Sequence, residues 1–322
     1  MYNIGIVGLG HVARHQVEAL SFSAQFRLVA GCDTDTSCFP LLGSSVRTFT
    51  DIDEMLSMPD LDVVVVASPN RLHVDHGIRV MAAGKWLVVE KPLAETPEEF
   101  AQFRARRKEL DGRCSLALHA AFGVEVEWFC QDELGNTDGT RRLESFESRF
   151  YDPYFENGRL KSSAHSLGGS WLDSGINALS VVCRMVDPTD LRIVDSRMTR
   201  VNGHACREVQ GSVDFHLESA EANGRGVIDT NWTLGRNSKA TRVVFSPTGT
   251  QYVLDHSTQQ VIRYKEHRPE VAFSCTNGRP RLTNHYVGVF EDVAKQVTCG
   301  IDNFEYGEQL HRLLYQAENW GS

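Results

Sequence analysis

A short apolar segment at the start of the chain runs directly into a glycine-rich turn. Residues 2–7 read Tyr-Asn-Ile-Gly-Ile-Val, and residues 8–13 continue as G-x-G-x-x-A. Between a strand and a helix, Gly8 permits the tight turn, Gly10 lets the backbone approach a pyrophosphate, and Ala13 lets the helix pack close to the strand. The spacing therefore predicts a dinucleotide-binding turn whose following helix directs its N-terminal amides at the phosphates.

A second apolar segment points to the same ligand. It covers residues 26–32 and ends at Asp33, where a carboxylate can accept hydrogen bonds from the adenosine ribose hydroxyls. The run Asp33-Thr34-Asp35 carries two carboxylates and no arginine, so its charge repels the 2′-phosphate of NADP. The sequence therefore favours NAD as the cofactor and leaves NADP as the alternative.

The first 120 residues alternate short apolar runs with helical patterns, which is typical of a doubly wound parallel sheet. Residues 63–66 are four valines in succession, as a central strand buried on both faces requires. A Ser-Pro-Asn loop follows them at the carboxyl edge, where ligands bind to sheets of this kind. We predict an α/β Rossmann domain over residues 1–121.

From about residue 141 the pattern changes to alternating segments separated by turn residues, which predict antiparallel strands. A helix over residues 171–186 interrupts them early, and helices over 285–298 and 306–318 close the chain. We predict a substrate-binding and oligomerisation domain over 122–322, with an α+β fold and an open, mostly antiparallel sheet. Its last helices are expected to pack back on the first domain.

Charge and composition exclude several classes of protein. The net charge of −9 argues against nucleic acid or an anionic membrane as a partner. No apolar run approaches the roughly 18 residues that span a bilayer, and the early first strand leaves no room for a signal peptide. The eight cysteines form no C-x-x-C pair, so we expect reduced thiols, no metal site and a cytoplasmic location.

Two clusters carry residues that could do chemistry. Glu90-Lys91-Pro92 follows a predicted parallel strand, where a lysine can donate to a substrate oxygen or accept a proton once its pKa is lowered. The proline can fix the backbone there through a cis peptide bond. Asp173 and Asn177 are four positions apart after a glycine pair, so on a helix they project from one face. A helix-start hydrogen bond or a solvated edge explains that second spacing equally well.

Four motifs together resemble the Gfo/Idh/MocA oxidoreductases, a family that includes glucose–fructose oxidoreductase and inositol dehydrogenase. They are the G-x-G-x-x-A turn, Ser68-Pro69-Asn70-Arg71-Leu72-His73, Glu90-Lys91-Pro92, and the glycine pair with Asp173 and Asn177. The resemblance covers the whole chain, and it implies a nicotinamide-dependent oxidoreductase acting on CH–OH groups. The cofactor-binding residues that it implies are Gly8, Gly10, His11, Val12, Asp33, Ser68, Pro69, Asn70, His73, Glu90 and Lys91.

One position departs from the family pattern. The resemblance implies that Lys91 and Asp173 contact the substrate as catalytic residues, and that a histidine four positions after the aspartate takes the proton. This chain has Asn177 at that position, and an asparagine cannot act as a base. The segment from Asp173 to Ser180 is similar instead to the aldose 1-dehydrogenase branch, which oxidises arabinose or galactose to a lactone.

That branch implies a sugar pocket and a mechanism. His119 and Trp232 resemble its pocket residues, although the branch usually has an arginine where this chain has Ala121. An anomeric hydroxyl is more acidic than an ordinary alcohol and needs weaker base assistance. Hydride would therefore leave C1 while Lys91, supported by Asp173, handles the proton. Asn177 and His119 would orient ring hydroxyls, and Trp232 would offer the sugar an apolar face.

Two other readings stay open. A polyol or inositol-type dehydrogenase, or a keto-sugar reductase, would need another base, and His165, Tyr151 and Tyr154 are the candidates. A sensor of sugar or NAD on the same scaffold is a further alternative. The presence of Lys91 and Asp173 argues against a sensor, because a sensor needs no proton relay. For each reading we expect a small-molecule sugar partner and a homodimer or homotetramer formed through the open sheet.

Overall fold

The computed structural model describes residues 1–135, 142–201, 208–218, 224–247 and 249–320. The chain forms two compact units. The first unit comprises Met1–His119 with Leu282–Gly307, and the second unit comprises Ala120–Arg281 with Glu308–Ser322.

A six-stranded parallel sheet forms the centre of the first unit, as predicted. Its strands are β1 (Tyr2–Val7), β2 (Phe26–Cys32), β3 (Arg47–Phe49), β4 (Val63–Val66), β5 (Trp86–Glu90) and β6 (Cys114–Ala117). Their order is β3-β2-β1-β4-β5-β6, so the winding direction reverses between β1 and β4, which is where ligands bind in such sheets. The connecting helices are α1 (Ala13–Ser21), α2 (Ile52–Leu56), α3 (His73–Ala82) and α4 (Pro97–Glu109).

Strand β4 shows why the apolar run was a reliable signal. Every valine from Val63 to Val66 has no exposed surface, because strands flank β4 on both sides and helices cover the sheet. Burial of the central strand leaves its carboxyl end for polar side chains, and the predicted residues Ser68, Asn70, Glu90 and Lys91 lie at or just after the carboxyl ends of β4 and β5.

The open edge of β6 is sealed by side chains from the end of the chain. Asn303 accepts a hydrogen bond from the Leu116 amide at 2.7 Å and donates one to the Leu116 carbonyl at 3.1 Å. Asp302 accepts from the Cys114 amide at 2.8 Å and pairs with Arg107 at 2.8 Å. Together they pair the backbone groups that an edge strand would otherwise expose.

An eight-stranded sheet forms the second unit, in the order β10-β11-β12-β7-β13-β14-β15-β16. Its strands are β7 (Arg142–Tyr151), β10 (Leu191–Thr199), β11 (Gln210–Leu217), β12 (Gly224–Asn231), β13 (Ser238–Ser246), β14 (Thr250–Asp255), β15 (Gln260–Lys265) and β16 (Arg268–Ser274), and a separate hairpin contains β8 (Phe155–Glu156) and β9 (Arg159–Leu160). The sheet is mostly antiparallel, as predicted, but β7 and β12 pair in parallel. Four more α-helices lie in the described residues: α5 (Val124–Trp128), α6 (Ile176–Val182), α7 (Arg281–Cys299) and α8 (Phe304–Glu318).

Three findings hold for the described part of the chain. No helix there is long and apolar enough to cross a membrane. No cluster of three or more His, Cys, Asp or Glu side chains is arranged there to hold a metal ion. None of its cysteines forms a disulfide bond; Cys206 lies outside the described residues.

Candidate active site

The glycine turn is tightly packed at one end and open at the other. Gly8 has φ +90°, and a Cβ built there would lie 2.5 Å from the Ser68 amide nitrogen. Gly10 is exposed, and a Cβ on it would meet no atom within 4 Å. The turn therefore rests against the end of β4 and leaves a free approach at Gly10, which fits a phosphate group.

The start of helix α1 is also available to a ligand. His11 is exposed and Val12, the residue that precedes the helix, supplies no side-chain hydrogen bond to its first amides. The first amides of a helix lack intrahelical partners. Both predicted residues therefore lie where a pyrophosphate would receive backbone hydrogen bonds.

Asp33 is fixed by two backbone amides at the end of β2. One carboxylate oxygen accepts from Leu9 at 2.7 Å and the other from Asp35 at 2.9 Å. The Asp35 carboxylate turns away to accept from the Ser37 amide, and hydrogen bonds from Ser37 lower the pKa of Asp35. Asp35 therefore keeps a negative charge beside the turn, and two carboxylates there suit ribose hydroxyls better than a 2′-phosphate.

His73 ties two strand ends together. Its imidazole is buried, with Nδ1 at 2.7 Å from the Pro92 carbonyl and Nε2 at 2.7 Å from the Ser68 carbonyl. Burial lowers the pKa of His73, and a neutral imidazole donates to one of the two carbonyls. His73 therefore supports the loops after β4 and β5, and its predicted role in cofactor binding stays a prediction.

Asn70 in the same loop does have a group left for a ligand. Its side chain is 9% exposed, and its Nδ2 has no hydrogen-bond partner among the described residues. Buried amide donors are nearly always paired in folded proteins. A cofactor oxygen would supply the missing acceptor, so Asn70 and the preceding Ser68-Pro69 backbone fit the dinucleotide.

Glu90 is a buried carboxylate with neutral donors around it. The same oxygen, Oε1, accepts from Gln16 at 2.8 Å and from the Tyr286 hydroxyl at 2.6 Å. Burial raises the pKa of Glu90, and these hydrogen bonds work in the opposite direction. Lys91 follows β5 directly and is partly exposed, and the Lys91–Pro92 peptide is cis. Glu90 therefore fixes the end of β5, directly before Lys91.

His119 belongs to a small aromatic cluster in the first unit. Its Nδ1 lies 3.1 Å from Nδ1 of His285, and the two rings stack with centroids 5.4 Å apart. Tyr286, which also binds Glu90, lies 5.6 Å from the His119 ring. The cluster connects the end of β6 to Glu90, the residue before Lys91. The sequence motifs did not reveal this connection.

The second cluster lies in the second unit, on an irregular turn. The predicted helix over 171–186 begins as a π-helical turn, Trp171–Gly175, and only then becomes α6. Asp173 and Asn177 are each 8% exposed. The Asn177 amide donates to the Asp173 carbonyl at 3.1 Å, while its Oδ1 has no partner among the described residues. Asn177 thus presents an acceptor for a ligand hydroxyl, and π turns recur at functional sites.

Trp232 is packed more deeply than expected. It has no exposed surface and lies in a cluster with Leu160, Ala164 and Val209. Tyr154 packs against it edge-on at 5.2 Å. In this structure Trp232 offers no open face to a sugar, and Tyr154 is the ring on the accessible side of the cluster.

The three candidate replacement bases differ in position. Tyr151 lines a cavity of about 370 Å³ together with Arg197 and Asp229 on the sheet, and His165 is exposed beyond a short 3₁₀ turn. Burial, aided by the negative charges of Asp173 and Asp152, raises the pKa of Tyr154. Tyr154 therefore stays protonated and suits hydrogen-bond donation rather than proton abstraction.

Sequence reasoning missed the residues that hold the Asp173 turn in place. Asp152 binds both Ser174 and Lys239, and Glu208 accepts from the Trp171 amide at 2.6 Å. These partners are distant in sequence and belong to no motif, so only the strand pairing of the folded chain could have revealed them.

Comparison with known proteins agrees with this architecture. Residues 2–118 match an oxidoreductase family described by its NAD-binding Rossmann fold. The chain is similar to galactose 1-dehydrogenase of Pseudomonas fluorescens, at 26% identity over 65% of each protein. It is also similar to glucose-6-phosphate 3-dehydrogenase of Bacillus subtilis, at 26% identity over 56% of this chain and 53% of that protein.

A solved structure shares the fold over nearly the full length. An NAD binding oxidoreductase from Klebsiella pneumoniae superposes with a TM-score of 0.78 at 20% identity, covering 97% of this chain and 95% of that one. The matches to curated relatives by sequence cover less of each protein than this structural match does. They span from 26% of the relative's length, for a cyclohexadiene dehydrogenase of Comamonas testosteroni, to 65% for the galactose 1-dehydrogenase.

Proposed function

We propose that this chain, whose residues 2–118 belong to the Gfo/Idh/MocA oxidoreductases with their NAD-binding Rossmann fold, oxidises C1 of an aldose to the lactone. The first unit would bind NAD, and the second unit would bind a galactose- or arabinose-like sugar. The similarity to galactose 1-dehydrogenase supports this substrate class. The cytoplasmic location and the homo-oligomer remain predictions from the sequence.

The observation that carries the proposal is the asparagine at position 177. Its side chain is nearly buried and its Oδ1 is available as an acceptor, but an amide cannot take up a proton. The arrangement therefore favours a substrate whose hydroxyl proton is acidic enough to need little help from a base. The anomeric hydroxyl of a cyclic aldose meets that requirement better than the other ring hydroxyls do.

The residues of the first unit fit the cofactor. The open approach at Gly10, the fixed carboxylate of Asp33 and the unpaired donor of Asn70 provide places for the pyrophosphate, the ribose and a further polar group. When bound, NAD supplies the acceptor for the hydride from C1. The protein contributes by holding the sugar carbon in position for that transfer.

We assign the proton-handling role to Lys91. A lysine at this strand end can take the hydroxyl proton when its neutral form is accessible, and it can orient the oxygen when charged. Asp173 and Asn177 would bind ring hydroxyls, Asp173 as acceptor and Asn177 through its Oδ1. We assign His119 to substrate binding as well.

The test compares free aldoses with their methyl glycosides. D-galactose and L-arabinose should reduce NAD and yield lactones, whereas methyl galactosides, whose anomeric oxygen is blocked, should not react. Lys91→Ala should abolish turnover, and Lys108→Ala, which changes an exposed lysine of α4, should leave it intact. Turnover of methyl glycosides would contradict the proposal and indicate oxidation at another carbon, as the similarity to glucose-6-phosphate 3-dehydrogenase suggests. Turnover of inositol or polyols alone would point to the dehydrogenases of those substrates, and NAD binding without turnover would point to a sensor.

A further inference from the structure

The second unit contains a buried ion pair next to the turn that carries Asp173. Nζ of Lys239 lies 2.6 Å from Oδ1 of Asp152, and the side chains of the two residues are 10% and 7% exposed. The other carboxylate oxygen, Oδ2, accepts a hydrogen bond from the Ser174 hydroxyl at 2.9 Å. Ser174 has no exposed surface. A continuous chain of contacts therefore runs from Lys239 through Asp152 to the residue beside Asp173.

The strand pairing of the sheet creates this chain. Asp152 follows the last residue of β7, and Lys239 is opposite Phe150 in the antiparallel pair of β7 and β13. The Asp152 amide also donates to the Asn231 carbonyl at 3.0 Å, which anchors it to β12. Asp152 is thus linked to three neighbouring strands, through its position after β7, its backbone amide on β12 and its carboxylate on Lys239 of β13.

Hydrogen bonds also tie the backbone of the turn: the Asp173 amide donates to the Gly169 carbonyl at 3.0 Å, and the Asn177 side chain donates to the Asp173 carbonyl at 3.1 Å. Its first residue, Trp171, is fixed by Glu208 and by an indole hydrogen bond to the Leu314 carbonyl at 2.9 Å. A π-helical turn is wider than an α-helical one and recurs as a single turn, so its side-chain directions depend on tertiary contacts. Ser174 supplies such a contact next to Asp173.

We propose that Lys239 and Asp152 are positioning residues, which orient Asp173 through Ser174. The lysine neutralises the buried carboxylate, and the ionised carboxylate then holds the serine hydroxyl and the turn. Stability alone gives no reason for such a pair, because buried ion pairs are often replaceable by apolar residues without loss. The inference rests on the proposed function for its effect on catalysis, since Asp173 is assigned there to substrate binding.

Three variants and a matched control test the proposal. Lys239→Met removes the cation that contacts Asp152 and leaves Arg281 as the other positive charge that acts on this carboxylate. Ser174→Ala removes the hydroxyl, and the double change Asp152→Asn with Lys239→Met removes both charges of the pair but keeps an acceptor for Ser174. Ser148→Ala is the control, because Ser148 is equally buried and its hydroxyl pairs with Thr241 at 2.8 Å, away from the turn.

The expected result is a fall in kcat for the aldose with an unchanged Kd for NAD. We expect about a hundredfold loss for Lys239→Met and about tenfold for Ser174→Ala, because small displacements of a substrate-contacting group cost this much. The double variant should recover at least part of the loss of Lys239→Met. A kcat equal to that of the wild type in Lys239→Met and Ser174→Ala, or an equal loss in Ser148→Ala, would overturn the proposal.

A second measurement does not depend on the substrate. Hydrogen exchange of the amides in residues 169–177 should be faster in Ser174→Ala than in the wild type and Ser148→Ala. Unchanged exchange would overturn the positioning role even if Lys239→Met failed to fold. If the wild type oxidised no sugar while exchange increased as expected, the proposed function would fail and the positioning role would stand.

Discussion

The two candidate binding regions are held in place by different means. In the first unit, the glycine turn and Asp33 are fixed by backbone groups that lie close together on adjoining strands and loops of the same sheet. In the second unit, the turn that carries Asp173 is fixed by side chains from distant strands, such as Asp152 and Glu208. Ligand binding in the first region should therefore be sensitive to substitutions that add atoms to the glycine turn. Ligand binding in the second region should be sensitive to substitutions that remove side chains on distant strands.

A pair of glycine substitutions gives the strongest test of this difference. In Gly8→Ala the new Cβ would lie 2.5 Å from the Ser68 amide at a φ of +90°, so we expect a loss of stability of about 1–3 kcal/mol and loss of NAD binding. In Gly10→Ala the Cβ meets no protein atom within 4 Å, so only NAD binding should weaken.

Thermal unfolding and NADH fluorescence titration separate the two effects. The comparison fails if Gly10→Ala is destabilised as much as Gly8→Ala, or if Gly10→Ala binds NAD with the affinity of the wild type. The second outcome would mean that the phosphates do not approach the backbone at Gly10.

An intermediate effect is expected at Asn177 in the second unit. Asn177→Ala removes a buried acceptor that we assign to a ring hydroxyl, so kcat/KM for the aldose should fall about tenfold, the value of one hydrogen bond. Affinity for NAD should not change, and this separates the variant from those in the glycine turn. Steady-state kinetics with each substrate varied in turn would show it, and a rise in the KM for NAD alone would contradict the assignment.

The smallest effect concerns two buried carboxylates, one in each unit. Asp152 forms a close ion pair with Lys239, whereas the side chains that donate to Glu90 are the neutral groups of Gln16 and Tyr286, with the charge of Lys91 nearby. Burial raises the pKa of Glu90 above its ordinary value of 4.5. Its contribution to stability is therefore fully present below pH 4.5 and is lost as the pH rises through the raised pKa.

Glu90→Gln removes that titration and is the matching variant. Its free energy of unfolding relative to the wild type should increase as the pH rises from 4.5 towards neutrality. Denaturant unfolding at several pH values measures the difference. A difference that did not change with pH would show that the hydrogen bonds of Gln16 and Tyr286, together with the charge of Lys91, offset the effect of burial on the Glu90 carboxylate.

The same contrast explains what the sequence could predict. The parallel sheet, the glycine turn and Asp33 follow from patterns within a few dozen residues, because a strand, a tight turn and a helix N-terminus have local requirements. The π-helical start at Trp171 did not follow, since a spacing of four fits an ordinary α-helix equally well. The parallel pairing of β7 with β12 and the partners of Asp152 depend on strands far apart in sequence, and no local pattern encodes them.

Individual side chains show the same limit. Sequence assigned His73 and Trp232 to ligand binding, and the structure buries both, His73 between two backbone carbonyls and Trp232 in an apolar cluster. Burial depends on what packs over a residue, and residue type and position in a motif do not determine it. Asn70 Nδ2, Asn177 Oδ1 and Trp232 Nε1 are buried atoms without a hydrogen-bond partner among the described residues.

An aldose deuterated at C1 gives the most direct test of the central claim. If the enzyme removes hydride from C1, the NADH formed carries deuterium and the reaction with the labelled sugar is slower. Unlabelled NADH from turnover of the same sugar would contradict the claim, because the hydride would then come from another carbon.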